Sequence, residues 1–294
     1  MAEVHHFTYG VFNPIAAYLV AFLGSFFGLL ATARARDARS RSRRNRWLVI
    51  GAFSIGGGAI WLMHFAAMLG FEVPASPVRF DITMTTVSLL VAVAAVGIGL
   101  LLVGNGQRHP AKVIAAGILT GGGVIAMHYT GMHGMHVAGR MSYNMSMVIA
   151  SVVIAVVAAT VALWFAISVH GWGRISGAAG IMALAVCGMH YTGMAAMSVQ
   201  LAPTAPESVR GIRPLTMILP ITVITAATIV AVAMFALQAM TDEEFTDGAG
   251  TPKRGAHAEP HNPWSLKQAS AVAAGGRRPS PSPRPVVPIR TTNS

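Results

Sequence analysis

Charge is scarce in this chain and acid scarcer still: of 294 residues only 11% are charged, and Asp and Glu together number 10. A soluble domain needs about a quarter of its residues charged to coat its surface, so that class is excluded. Cysteine is nearly absent, Cys187 standing alone. No intrachain disulfide can form, and neither a secreted disulfide scaffold nor a Cys-x-x-Cys zinc or redox site is available. The chain also lacks a Ser-His-Asp set, a carboxylate pair and a phosphate-binding loop, so it is expected not to be an enzyme.

Apolar residues are abundant, at 54% of the chain. A bilayer core about 30 Å thick requires roughly 20 consecutive apolar helical residues. Seven stretches qualify: Phe12 to Thr32, Trp47 to Leu69, Thr83 to Val103, Lys112 to Met132, Ser146 to Val169, Ile175 to Met197 and Leu215 to Ala239. None contains Asp or Glu. The expected fold is all-α, a polytopic bundle of seven transmembrane helices over residues 1–240, retained in the cell membrane rather than cleaved as a signal peptide.

Positive charge sets the expected orientation, because short cytoplasmic loops keep Lys and Arg. Seven arginines (34, 36, 39, 41, 43, 44 and 46) follow the first span, Arg108 and Lys112 follow the third, Arg174 the fifth and seven basic residues the last, which puts 17 of 21 on one side. Arg79, Arg140, Arg210 and Arg213 occupy the other. The N-terminus is therefore expected outside and the C-terminus in the cytoplasm. The arginine run itself reads as a stop-transfer and lipid-surface anchor, not as a binder of nucleic acid. Residues 241–294 hold eight prolines and few large apolar side chains, a composition expected to stay disordered.

An internal repeat carries the chemistry. Met63-His64-Phe65-Ala66-Ala67-Met68 ends the second span, Met127-His128-Tyr129-Thr130-Gly131-Met132 the fourth and Met189-His190-Tyr191-Thr192-Gly193-Met194 the sixth, with histidines 64 and 62 residues apart. One repeat is then a pair of spans, with a seventh outside the three. An even number of crossings separates the copies, so all three fall at the same, outer end. Residues four apart share a helix face, which pairs His64 with Met68, His128 with Met132 and His190 with Met194. Glycines before each copy (Gly56 to Gly58, Gly121 to Gly123, and Gly177, Gly180 and Gly188) should let the helices approach closely. A histidine in the bilayer must face the bundle interior and find a partner.

Thioether and imidazole together favour copper, since hard cations would demand carboxylates that the spans lack. Met132, His133, Met135, His136, Met141, Met145 and Met147 lie within 16 residues and could collect a soft ion at the outer mouth. Tyr129 and Tyr191 are ligands or hydrogen-bond partners on this reading. Cys187 is on the face of His190 and reads as a small buried hydrophobe. Two other classes stay open. A copper or other metal transporter would suit the Met-rich mouth, and a haem-bearing electron carrier would suit paired membrane histidines.

These motifs resemble the MHYT domain of bacterial signalling proteins, spelled at Met127-His128-Tyr129-Thr130 and Met189-His190-Tyr191-Thr192, with a phenylalanine-bearing first copy at Met63-His64-Phe65. The likeness covers about residues 7–240 and departs from the motif at Ala66-Ala67, where the other copies have Thr-Gly. The resemblance implies an integral membrane sensor that binds copper near the outer face and responds to O2, CO, NO or redox state. It implies ligands at Met63, His64, Met68, Met127, His128, Tyr129, Met132, Met189, His190, Tyr191 and Met194. Many members carry a cytoplasmic catalytic or DNA-binding output, whereas this chain has a short tail, so a separate cytoplasmic output partner is expected.

Overall fold

The computed structural model describes residues 4–5, 8–107, 109–201 and 209–214, with isolated positions at 216, 223, 227, 230 and 234. Among the described residues six helices are long and apolar enough to cross a membrane: α1 (Phe12–Asp37), α2 (Arg41–Met68), α3 (Ile82–Gly104), α4 (Pro110–His133), α5 (Met145–Ser168) and α6 (Trp172–Ala195). They match the first six predicted spans closely. The predicted seventh span, Leu215 to Ala239, lies almost wholly outside the described residues, and the tail 241–294 lies entirely outside them.

Local chemistry accounts for where the helices start. Asp81 caps α3 by accepting from the Met84 N–H at 2.8 Å, and Asn144 caps α5 by accepting from Ser146 N–H at 3.0 Å. Pro110 opens α4, where its missing N–H costs nothing. Ser40 caps α2 from the Arg43 N–H at 3.2 Å. The arginine run is therefore largely helical rather than a loop. Arginine is a good helix former whose aliphatic stem lies along apolar surface, so both helices run past their apolar stretches.

Each helix packs on its neighbour in the chain, and α6 closes on α1, so the six form a ring. Lipid-facing stripes remain on the outside, for example Ile149, Val153 and Val157 on α5, all exposed. Inside, close approach of small residues replaces the hydrophobic driving force that lipid does not provide. A Cβ on Gly56 of α2 would stand 2.8 Å from the Ala92 carbonyl of α3, and one on Gly121 of α4 would stand 2.7 Å from Val156 Cα of α5. In the third copy only Gly180 meets a neighbour, where a Cβ would stand 3.4 Å from the Tyr18 hydroxyl of α1. Cβ atoms on Gly177 and Gly188 would meet nothing within 4 Å.

Two features have no signal in the residue pattern. Residues Phe53–Leu62 of α2 are wound as a π-helix, which resets the facing of every later residue in that helix, His64 included. The motif end is also capped by short antiparallel ladders. β1 (Arg79–Phe80) pairs with β2 (Met135–His136), and β3 (Gly139–Tyr143) pairs with β4 (Met197–Leu201). The underside of this cap is apolar: Phe71, Val73, Phe80, Met135 and Val199 are buried in the same cluster as Met68, Met132 and Met194.

Candidate metal centre

The motif helices α2, α4 and α6 are alternate staves of the ring and run in the same direction. Their histidines, each within the last two turns of its helix, meet on the bundle axis. His64 Nδ1 is 3.0 Å from His190 Nδ1 and 3.2 Å from His128 Nδ1. The rings stand edge to face, with centroids 4.9 to 5.2 Å apart. All three are buried, at 1% exposure or less. No other group of three or more His, Cys, Asp or Glu side chains among the described residues comes this close.

The opposite ring nitrogens are set by glycine. A Cβ on Gly131 would stand 2.5 Å from His64 Nε2, and one on Gly193 would overlap His128 Nε2 more closely still. Each glycine belongs to the motif of the next copy, so the copies interlock in sequence order: His64 lies over Gly131, and His128 over Gly193. The equivalent residue of the first copy is Ala67, whose carbonyl accepts a 2.8 Å bond from the buried Asn13 amide. Nε2 of His64 and of His128 has no hydrogen-bond partner.

These observations test the fit of a cation. His64 Nδ1 offers one in-plane position, a lone pair or a proton, yet it faces two further Nδ1 atoms. His64 Nδ1 can therefore hydrogen-bond only one of the two. An ion about 2.0 Å from two nitrogens separated by 3.0 to 3.2 Å sees them at about 100°, within the tetrahedral range of imidazole-bound ions. The donor chemistry is imidazole with no carboxylate, which suits a borderline or soft transition ion. A metal fits here. A porphyrin does not, because the three rings are in mutual contact and leave no slot for a macrocycle.

Comparison with known proteins bears on the same residues. The family described as MHYT, a bacterial signalling protein N-terminal repeat, matches residues 57–116, 121–178 and 184–248. The chain belongs to the MHYT family. It is 38% identical over 199 residues to the bifunctional diguanylate cyclase/cyclic di-GMP phosphodiesterase MucR of Pseudomonas aeruginosa, covering 66% of this chain and 29% of that protein. The cyclic di-GMP phosphodiesterase NbdA of the same organism is 35% identical over 207 residues, covering 68% of this chain and 26% of its own. The signaling protein YkoW of Bacillus subtilis is 24% identical over 212 residues, covering 69% and 26% respectively. The chain thus spans less than a third of the length of each of these relatives. No solved structure matches it.

The MHYT repeat pairs each motif helix with the segment that follows it. By the motif spacing the seventh span is expected outside the repeats. Instead, that segment falls inside the third match, and α1 falls outside all three.

The remaining MHYT residues surround the imidazoles in different ways. All six motif methionines are buried. Met63 packs with Ala17, Ala21, Ala67, Ala183 and Cys187, while Met68, Met127, Met132, Met189 and Met194 belong to the main apolar cluster. The Tyr129 hydroxyl is 3.0 Å from Ser151 Oγ of α5, and its ring meets His128 edge-on at 4.9 Å. Tyr191 likewise stands edge-on to His190 at 5.1 Å. Tyr143 of β3 packs on Tyr129, and burial followed by that neighbour raises its phenol above the ordinary pKa. Ser151, Asn13 and Tyr143 belong to no motif and carry no mark in the sequence.

The expected outer Met/His cluster is dispersed. Met132 and Met135 are buried in the core, whereas His133, His136, Met145 and Met147 are exposed. These side chains fall on the last turn of α4, on β2 and on the first turn of α5, and each element turns a different part of the set inward. On the other side of the imidazoles lies an apolar cavity of about 60 Å³. Ile60, Val124 and Val186 line it, each one helical turn before a motif histidine, and Met189 lines it as well.

Proposed function

We propose that this chain is an integral membrane sensor that holds copper at the extracytoplasmic end of its helix ring through Nδ1 of His64, His128 and His190, with the motif methionines as a soft, polarizable surround. The observation that carries the reading is the convergence of three buried imidazoles, His64 Nδ1 standing 3.0 Å from His190 Nδ1 and 3.2 Å from His128 Nδ1, with no carboxylate among them. Bound copper would supply a redox-active centre with a position open to a small ligand.

The chain's own residues do the rest. Gly131 and Gly193 admit the imidazoles to the axis, and the Tyr129–Ser151 bond ties α4 to α5 beside His128. The cap of short strands keeps bulk water from the site. The apolar cavity directly beneath suits a small uncharged molecule such as O2, CO or NO, which partitions into lipid and arrives without hydrogen-bonding needs. Occupancy or redox state transmits a signal only if two helix packings differ in affinity for it. With α2, α4 and α6 meeting at one point, a change in the three imidazoles acts on alternate staves at once. The bias of Lys and Arg toward short cytoplasmic loops supports a cytoplasmic C-terminus on this reading, where an output partner would read the change.

The test is metal analysis of the purified protein. One copper per chain is expected in the wild type and none in the His64→Ala/His128→Ala/His190→Ala triple variant. Equal copper in both proteins would remove the reading.

A further inference from the structure

The end of the ring opposite the histidines encloses a second cavity, of about 210 Å³, between the last turns of α1, α3 and α5 and the first turns of α2. One water needs only about 10–15 Å³ of such space, so the room is for something larger. The wall is largely polar. Arg36 and Arg44 both line it, and no described lining residue is acidic. Asp37, the nearest acid along the chain, is exposed.

The two guanidinium groups are held differently. Both terminal nitrogens of Arg36 donate to carbonyls at the C-terminal end of α5, those of Ala166 and Val169. Neutralising a helix C-terminus accounts for that arginine. It does not account for Arg44, whose Nε is buried without a hydrogen-bond partner. A third cation flanks the cavity: Lys112 Nζ lies 3.5 Å from where a Cβ on Gly106, a lining residue, would stand. Like charges gathered at a half-enclosed site repel, and an unpaired guanidinium N–H there is costly. An anion with several oxygens relieves both, and phosphate matches the guanidinium fork.

We propose that this cavity binds a phosphate-bearing anion through Arg44 and Arg36. The phosphate comes either from the headgroup of an anionic phospholipid in the adjoining leaflet or from a soluble phosphate compound. The site is separate from the histidine cluster and does not depend on metal there.

The experiment uses the full chain purified in neutral detergent and stripped of lipid. Retention of phosphatidylglycerol against phosphatidylcholine is read by native mass spectrometry, and binding of inorganic phosphate by calorimetry. Selective retention of phosphatidylglycerol alone identifies a lipid source, and binding of inorganic phosphate identifies a soluble one. In either case Arg44→Gln should weaken binding at least tenfold, while Arg43→Gln, at an exposed neighbour, should leave it unchanged. Should Arg44→Gln fail to fold, Ile167→Glu, which brings a carboxylate to the cavity wall, should produce the same loss. The proposal is overturned if neither probe binds the wild type, if the cavity variants bind as well as the wild type, or if Arg43→Gln weakens binding equally.

Discussion

Gly131 lies against His64 so closely that only hydrogen fits between them: a Cβ at that glycine would stand 2.5 Å from the imidazole Nε2. Gly193 stands in the same relation to His128. Gly131→Ala and Gly193→Ala are therefore expected to push an imidazole off the axis. Overpacking of this kind costs about 1–3 kcal/mol, and copper content should fall with it. Gly188→Ala, on α6 with nothing within 4 Å of the added Cβ, should leave copper unchanged and should not lower the melting temperature, because alanine favours the helix by about 1 kcal/mol. Full copper in the Gly131 and Gly193 variants would separate ring placement from metal binding.

Removing the metal should destabilise the bundle. His64 Nδ1 faces two further Nδ1 atoms and can hydrogen-bond only one, a conflict that a bound cation would resolve. Binding to the folded state alone stabilises by about 2.7 kcal/mol at a free concentration of 100 times the dissociation constant. A copper chelator should lower the melting temperature of the wild type by several degrees and leave His64→Ala unmoved. Identical melting with and without chelator in the wild type counts against a cation at this point.

Tyr129 allows a sharper distinction between ligand and support. Its hydroxyl is bonded to Ser151 across the α4–α5 interface. Tyr129→Phe and Ser151→Ala should each cost about 1 kcal/mol, the double variant little more than either, with copper content unchanged in all three. Loss of copper in Tyr129→Phe but not in Ser151→Ala would make the phenol a ligand instead.

The cavity beneath the histidines can be closed without touching them. Ala159 of α5 lines it, and Ala159→Leu should occupy most of its roughly 60 Å³. Xenon, an inert probe of dry apolar space, should bind the wild type in a xenon NMR titration and fail to bind Ala159→Leu. Copper content should be equal in both. Xenon binding that survives the substitution would place the small-molecule site elsewhere.

Much of the architecture was legible in the residues. Six apolar stretches matched six helices to within a few positions, because length and hydropathy alone decide what can cross a bilayer. Three histidines at one end, each expected to face inward, are buried together. Other expectations depended on neighbours that a one-dimensional pattern does not contain. Gly121 serves close packing and Gly188 does not, though both precede a motif, since a glycine matters only where another backbone or ring arrives. The Met and His residues around the end of α4 stand near one another in sequence yet diverge in space, Met135 buried and Met145 exposed, because one lies on a cap strand and the other opens α5. The π-wound stretch of α2 broke the uniform 3.6-residue period on which the facing of His64 would otherwise be judged.

The sequence by itself determined that the chain lives in a membrane and that three copies of a Met-His motif end alternate helices on one side, since both follow from residue type and spacing along a single chain. Which nitrogens of those histidines meet was decided only by the closing of the ring. Nδ1 points inward, and Nε2 of His64 and of His128 lies against a glycine, because of the rotation of each helix about its own axis. That rotation is set by packing between helices far apart in the chain, and no local pattern encodes it.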